Sequence, residues 1–371
     1  MATAYDMTAG DLFYPADGIP HAYGSALYCR LMRSYYYNTA DNGKFSVWKS
    51  IDNGVTWAMQ GAEKGGEDNR FAIPGKGVVV GSVLYIAFYT HIIPHVTGAP
   101  YIGIARFDMA TDSWLSDWTP GPSITDFCHV IDVGFGADGN GVVVYSDWKS
   151  STNTRQLRYV SISSGGTWGS PSNLTDFLQT NTSYAQAIAD STDAEHVFYS
   201  DSGGAGGGLY HVDKLGGPRV FNNTSSPYTI TRRPVLANIG GTQHLVLPYY
   251  KTSLVSGIAV CPVGSSTWTE YPATAAGTKR TWGICSRGNK VYVQWAITSD
   301  LDVITQGEFS EGSWSNFVEL TSGGPEFGGP FASNMLGSAA VGVVAEDWND
   351  GRAWFIRYPV GIGPASRYYA M

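Results

Sequence analysis

The chain has 371 residues and a formal net charge of −8, with 46 Gly, 18 Pro and 50 Trp, Tyr and Phe residues (12, 23 and 15) beside only 15% charged positions. Many turns joining aromatic strands are implied, which excludes a coiled coil, a helical bundle or a disordered chain. The acidic balance argues against nucleic acid as a partner, because phosphate contacts need clustered cations.

Hydrophobic residues make up 43% of the chain, enough for a large core. No apolar run reaches the ~18–20 residues of a membrane span, so a soluble chain without membrane insertion is expected. The opening residues have no basic start and no apolar stretch, so no signal peptide is expected in this sequence, although one removed earlier would leave no trace. An extracellular or virion-associated location stays compatible with this; the location itself is unknown. Cys29, Cys128, Cys261 and Cys285 stand far apart in apolar segments, without metal-ligand spacing, and are expected to be buried free thiols.

In chain order, a pair of apolar strands repeatedly precedes a turn ending in Trp. The opening copy ends at Ser50-Ile-Asp52-Asn-Gly54-Val-Thr56-Trp57. Val83–Tyr89 and Tyr101–Phe107 precede Asp108–Trp114; Gly141–Tyr145 and Leu157–Val160 precede Ser161–Trp168. His196–Tyr199 and Gly208–His211 precede His211–Val220, which lacks the Trp. His244–Pro248 and Gly257–Cys261 precede Gly264–Trp268, and Lys290–Trp295 and Val303–Gln306 precede Ser310–Trp314. Ala340–Ala345 and Arg352–Tyr358 close the series.

Seven units of about 50 residues predict an all-β fold: a single seven-bladed β-propeller, with six blades as the alternative. One such sheet cannot bury both faces, so the sheets must stack around an axis until they close. The units are drawn at 18–65, 66–122, 123–178, 179–227, 228–275, 276–325 and 326–371, with residues 1–17 available to complete the last. Either Asp11–Tyr14 or Ser366–Tyr369 could supply the closing strand, and the N-terminal segment is favoured.

Within Ser50–Trp57, the Asp can accept backbone N–H bonds, Gly54 can supply a positive φ, and Trp57 can cover the gap between sheets. Ser-x-Asp-x-Gly-x-Thr-Trp resembles the Asp-box, or BNR repeat, of the sialidase-like superfamily, with Ser50, Asp52, Gly54 and Trp57 as its structural residues. That resemblance implies a β-propeller that acts on or binds carbohydrate, with the boxes on the periphery. It does not extend to catalysis. Gly18-Ile19-Pro20 has Gly where sialidases carry Arg, and Phe331–Asn334 has no Tyr where their nucleophile is expected.

Residues that start the inner strands would face a central funnel, and there His21, Arg70, His129, Tyr184, Arg232, Arg233, Arg280 and Trp282 form the candidate ligand-binding set. Arg could neutralise a uronate while Tyr or His moves a proton, so Tyr184, His129 and Arg70 are the catalytic candidates if the protein is a polysaccharide lyase or glycosidase. No metal or other cofactor is expected. His91 and His95 sit four apart, but Pro94 argues against the helix such a pair needs. Glu346, Asp347 and Asp350, like Asp300 and Asp302, are assigned to hairpin turns. Aromatic residues beyond core needs, including Tyr35–Tyr37, Trp118, Trp148, Trp348 and Tyr368–Tyr369, suit a contact surface.

The expected function is therefore a lectin-like or virion attachment type of recognition protein without enzymatic activity. It would bind a carbohydrate or cell-surface glycan, or another structural protein of an assembly. The alternative is a carbohydrate-active enzyme working in the funnel.

Overall fold

The computed structural model describes residues 3–7, 13–14, 19–33, 44–65, 70–92, 100–124, 128, 131–149, 154–174, 184–189, 195–201, 208–213, 219–221, 228–230, 234–251, 256–273, 279–297, 300–320, 332–336, 340–346 and 353–359. Its strands form seven antiparallel sheets of four or five strands, following one another along the chain. The alternating apolar runs recognised in the sequence become their middle strands, which carry most of the buried side chains.

The first sheet runs outward from Phe13–Tyr14 and His21–Tyr23, which share the inner edge, through Ala26–Arg33 and Lys44–Ser50 to Ala58–Lys64. The second comprises Arg70–Val80, Val83–Ile92, Ile102–Asp108 and Ser113–Trp114. The third comprises Ile131–Phe135, Gly141–Lys149, Thr154–Ile162 and Ser172–Asn173, and the fourth Tyr184–Ala189, Glu195–Asp201, Gly208–Asp213 and Arg219–Phe221. In the fifth, Tyr228–Ile230 and Val235–Ile239 share the inner edge before Thr242–Lys251, Ser256–Pro262 and Thr269–Pro272. Lys279–Arg287, Lys290–Ile297, Asp300–Ser310 and Ser313–Glu319 make the sixth.

The seventh sheet holds Ala332–Leu336, Ala340–Glu346 and Ala353–Pro359, and its outer strand is Thr3–Asp6 from the chain start. Thr3 pairs with Arg357 and Asp6 with Trp354. The strand that closes this sheet is Thr3–Asp6, not the Asp11–Tyr14 segment favoured from sequence. Phe13–Tyr14, within the segment expected to do this, instead pairs with Met32–Arg33 in the first sheet. Six residues separate the two strands, enough for the chain to cross from one sheet's outer edge to its neighbour's inner edge. Ser366–Tyr369 lies outside the described residues.

Neighbouring sheets touch around the full circuit. Inner strands lie against one another from the second sheet to the fourth, Tyr184–Ala189 meets Tyr228–Ile230, and Val235–Ile239, Lys279–Arg287 and Ala332–Leu336 follow in turn. Ala332–Leu336 also contacts His21–Tyr23, and Lys44–Ser50 contacts Arg70–Val80, so the ring has no gap between its last and first sheets.

The Trp-ending turns join the sheets on the outside. Trp114 of the second sheet lies edge-on to Phe45 of the first at 5.9 Å and donates its Nε1–H to the Ala62 carbonyl at 2.8 Å. Trp168 packs at Gly121, which follows the second sheet's last strand. Trp268 of the fifth stands edge-on to Phe198 and His211 of the fourth, and Trp314 of the sixth donates to the Tyr271 carbonyl of the fifth. Trp57 of the first sheet meets Phe355 of the seventh. Each of these indoles therefore leans on the preceding sheet and buries apolar surface between two modules.

Candidate functional site

The Ser50–Trp57 turn shows how its residue types are used. Gly54 N–H donates to Ser50 Oγ, the Ser50 hydroxyl donates to Asp52 Oδ1, and Thr56 donates both its N–H and its hydroxyl to the Asp52 carboxylate. The Thr56 bonds hold the Asp52 carboxyl well below its ordinary range, at about 2. Gly54 has φ +95°, and a Cβ there would strike the Phe355 ring. Trp57 donates to the Gly54 carbonyl at 3.0 Å. The turn is architectural, at the outer rim of the ring.

At the axis, a cavity of about 300 Å³ is lined by described residues from all seven sheets: Val78, Phe135, Ala189 and Ser286 near the ends of their inner strands, Asn334 mid-strand, and His21 and Val235 at strand starts. Val78, Phe135, Ile188, Val235, Leu236 and Ile284 supply most of its wall. The polar contributions come from three consecutive sheets: Ser286 of the sixth, Asn334 of the seventh and His21 of the first. Asn334 Oδ1 accepts the Met335 N–H at 2.9 Å, which fixes its amide, so Nδ2 donates to His21 Nδ1 at 3.3 Å. His21 Nδ1 is thus the acceptor of that bond.

Two buried carboxylates have structural partners. Asp132, on the third sheet's inner strand and 1% exposed, accepts the Ala187 N–H of the fourth at 3.0 Å. Asp147 pairs with Arg158 of its own sheet at 3.3 Å. Arg30 reaches from the first sheet to the Gly75 carbonyl of the second, and Ser286 from the sixth to the Leu236 carbonyl of the fifth. These bonds fasten sheet to sheet where a ring of separate modules would otherwise slide.

Of the candidates taken from sequence, His21 is among the described residues that line the cavity. Arg70 and Tyr184 are the first residues of their inner strands and Arg280 is the second residue of its own, with Trp282 at a bulge in the same strand. Arg70, Tyr184 and Arg280 thus stand at or near strand starts, away from Val78, Ala189 and Ser286 towards the far ends of the same three strands. His129, Arg232 and Arg233 lie outside the described residues. Sequence reading missed Ser286, near the end of its strand, and Asn334, in the middle of its own, because it weighed only the starts of inner strands.

Other expectations shift in detail. Trp118, taken as a surface ring, is half-buried against Tyr85 and Phe135, with the Arg106 guanidinium 4.5 Å from its centre. Asp300 and Asp302, expected in a turn, begin a strand, Glu346 ends one, and His91 continues the strand Val83–Ile92. Tyr35–Tyr37, His95, Asp347, Trp348, Asp350 and Tyr368–Tyr369 lie outside the described residues. All four cysteines are buried and none is in a disulfide, and burial pushes the Cys29 thiol up to about 12. No helix among the described residues is long and apolar enough to cross a membrane.

No family model and no curated protein sequence matches the chain. Solved structures do. Penicillium chrysogenum α-L-arabinanase complexed with arabinobiose superposes with TM-score 0.53 at 11% identity, over 97% of this chain and 98% of that one. The Hadza microbial sialidase Hz136 gives 0.50 at 14% identity, over 85% and 73%. AofleA from Arthrobotrys oligospora gives 0.50 at 10% identity, over 87% and 90%. The chain is an all-β propeller. At such identities the likeness speaks for the fold alone, and a propeller carries its function in grafted sites.

Proposed function

We propose that this propeller is a non-enzymatic recognition protein that binds a glycan or a protein partner, with each sheet counted as one blade, seven in all. The Ser50–Trp57 turn is read as an Asp-box, and the Trp-ending turns that follow as its degenerate copies. A crystal structure with six sheets about the axis would overturn the count.

The observation that supports recognition over hydrolysis is the use made of the buried carboxylates. Most glycoside hydrolases set two carboxyl groups around one sugar. Asp132 is taken up by a backbone N–H of the next sheet and Asp147 by Arg158, while no carboxylate is among the described residues that line the cavity. The partners that suit this reading are a cell-surface glycan or another structural protein of an assembly such as a virus particle. A glycan array run beside a cell-surface binding screen tests it, and silence in both would count heavily against it.

The second reading is a polysaccharide lyase or glycosidase acting at the strand starts. Its support is that Arg70 and Tyr184 open the inner strands of the second and fourth sheets, with His129 two residues before the inner strand of the third. Unsaturated uronate products, or reducing ends released from a polysaccharide panel, would establish it. Tyr184→Phe and His129→Ala would then lower the rate at least about a hundredfold.

A further inference from the structure

We infer that the axial cavity is a binding site for a small, neutral ring compound that carries an amide edge, distinct from any glycan site at the strand starts. The cavity is two-sided in its chemistry. Val78, Phe135, Ile188 and Leu236 from the second to the fifth sheets form an apolar wall, and Ser286, Asn334 and His21 place polar groups on the sixth, seventh and first.

Polar demand on that second wall is specific. Asn334 Nδ2 has two hydrogens, one of which is given to His21, and its Oδ1 is held by Met335 N–H. It therefore offers a donor. Ser286 spends its only hydroxyl hydrogen on the Leu236 carbonyl, so its Oγ offers lone pairs and no donor. A donor and an acceptor on adjacent sheets complement the C=O and N–H of a carboxamide. The described lining has no Asp, Glu, Lys or Arg, so a charged ligand would lose its hydration without a counter-charge.

Size agrees with the chemistry. A cavity of about 300 Å³ is small for a drug-sized ligand and generous for a single ring, since an apolar cavity of ~150 Å³ already takes up benzene. The ring would lie against Phe135 and Ile188 and bury the apolar wall, while the amide meets the polar one. Because seven separate sheets fix the lining, the site is pre-formed, and little ordering opposes binding.

The test uses the intact protein with benzamide, benzoate and toluene as probes, followed by calorimetry and ligand-observed NMR. Benzamide is expected to bind saturably at one site, and both benzoate and toluene at least about tenfold more weakly. Asn334→Ala should weaken benzamide about three- to tenfold, the worth of one hydrogen bond, and leave toluene unchanged. Ile188→Phe should fill the site and abolish binding of both. Thermal melts identify any variant that does not fold, in which case the three-probe series on the natural chain decides. Benzamide binding no tighter than benzoate or toluene would overturn the inference, as would benzamide binding indifferent to Asn334→Ala. Glycan-array signals unaffected by Asn334→Ala would keep this site separate from the recognition function.

Discussion

The Trp57 indole stands edge-on to the Phe355 ring, with 5.1 Å between centroids and 65° between planes, and so ties the first sheet to the seventh. Gly54, three residues before Trp57, presses its backbone on the same Phe355 ring. A turn near the start of the chain and a strand near its end thus share one contact, at the place where the ring must close.

Truncating the indole should therefore weaken closure. Trp57→Ala removes the contact with Phe355 and the bond to the Gly54 carbonyl, and is expected to lower stability by about 2–4 kcal/mol. Chemical denaturation followed by fluorescence measures it, and a loss below about 1 kcal/mol would show that the seam does not depend on this ring.

Two glycines separate backbone strain from collision. Gly24 has φ +59° with open space around a Cβ, so Gly24→Ala should cost only the strain, about 1–2 kcal/mol. Gly54→Ala adds overlap with Phe355 and should cost about 3 kcal/mol or more, or prevent folding. Equal melting temperatures for the two variants would contradict this.

Asp52 sets a pH dependence whose sign follows from its depressed pKa. The folded value is about 2, below the ordinary value of 3.8, so the native state favours the carboxylate more than the unfolded chain does. Its contribution is fully present above about pH 4 and is lost as pH falls towards 2. The melting-temperature gap between the natural chain and Asp52→Ala should accordingly be constant from pH 7 to about 5 and narrow below 4. A gap that widens on acidification would reverse the assignment.

Tyr28 joins the first two sheets. Its hydroxyl lies 2.7 Å from Asp112 Oδ1 and 2.9 Å from the Met109 carbonyl, and Lys49 Nζ sits 2.5 Å from Asp112 Oδ2. Burial opposes ionisation of Asp112, but bonds from Lys49 and Tyr28 hold its carboxyl below the usual range. Tyr28→Phe should cost about 1–2 kcal/mol. Lys49→Ala, at a pair left partly open to water, should cost about 1 kcal/mol or less. The reverse order in urea denaturation would place the weight on the ion pair.

The thiols should be silent in the native state, since all four are buried and Cys29 ionises only near pH 12. Alkylation followed by mass spectrometry is expected to label none at pH 7.5, and all four in denaturant. Rapid native labelling of Cys29 would contradict its burial.

The repeat is legible in the sequence because each module carries the same physical demand: alternating apolar strands that need a neighbour on both faces, and a Trp-ended turn to cover the join. Ser50, Asp52, Gly54 and Trp57 could be given roles before any coordinates, since a tight turn constrains φ and backbone hydrogen bonding locally. The folded chain settles which segment closes the ring, since Thr3–Asp6 and Phe13–Tyr14 are both short strands and their partners lie about 350 and 20 residues away. It also decided where the cavity lies. Asn334, Ser286 and His21 are ordinary polar residues in sequence, and they become one polar wall because ring closure brings the sixth, seventh and first sheets together around the axis.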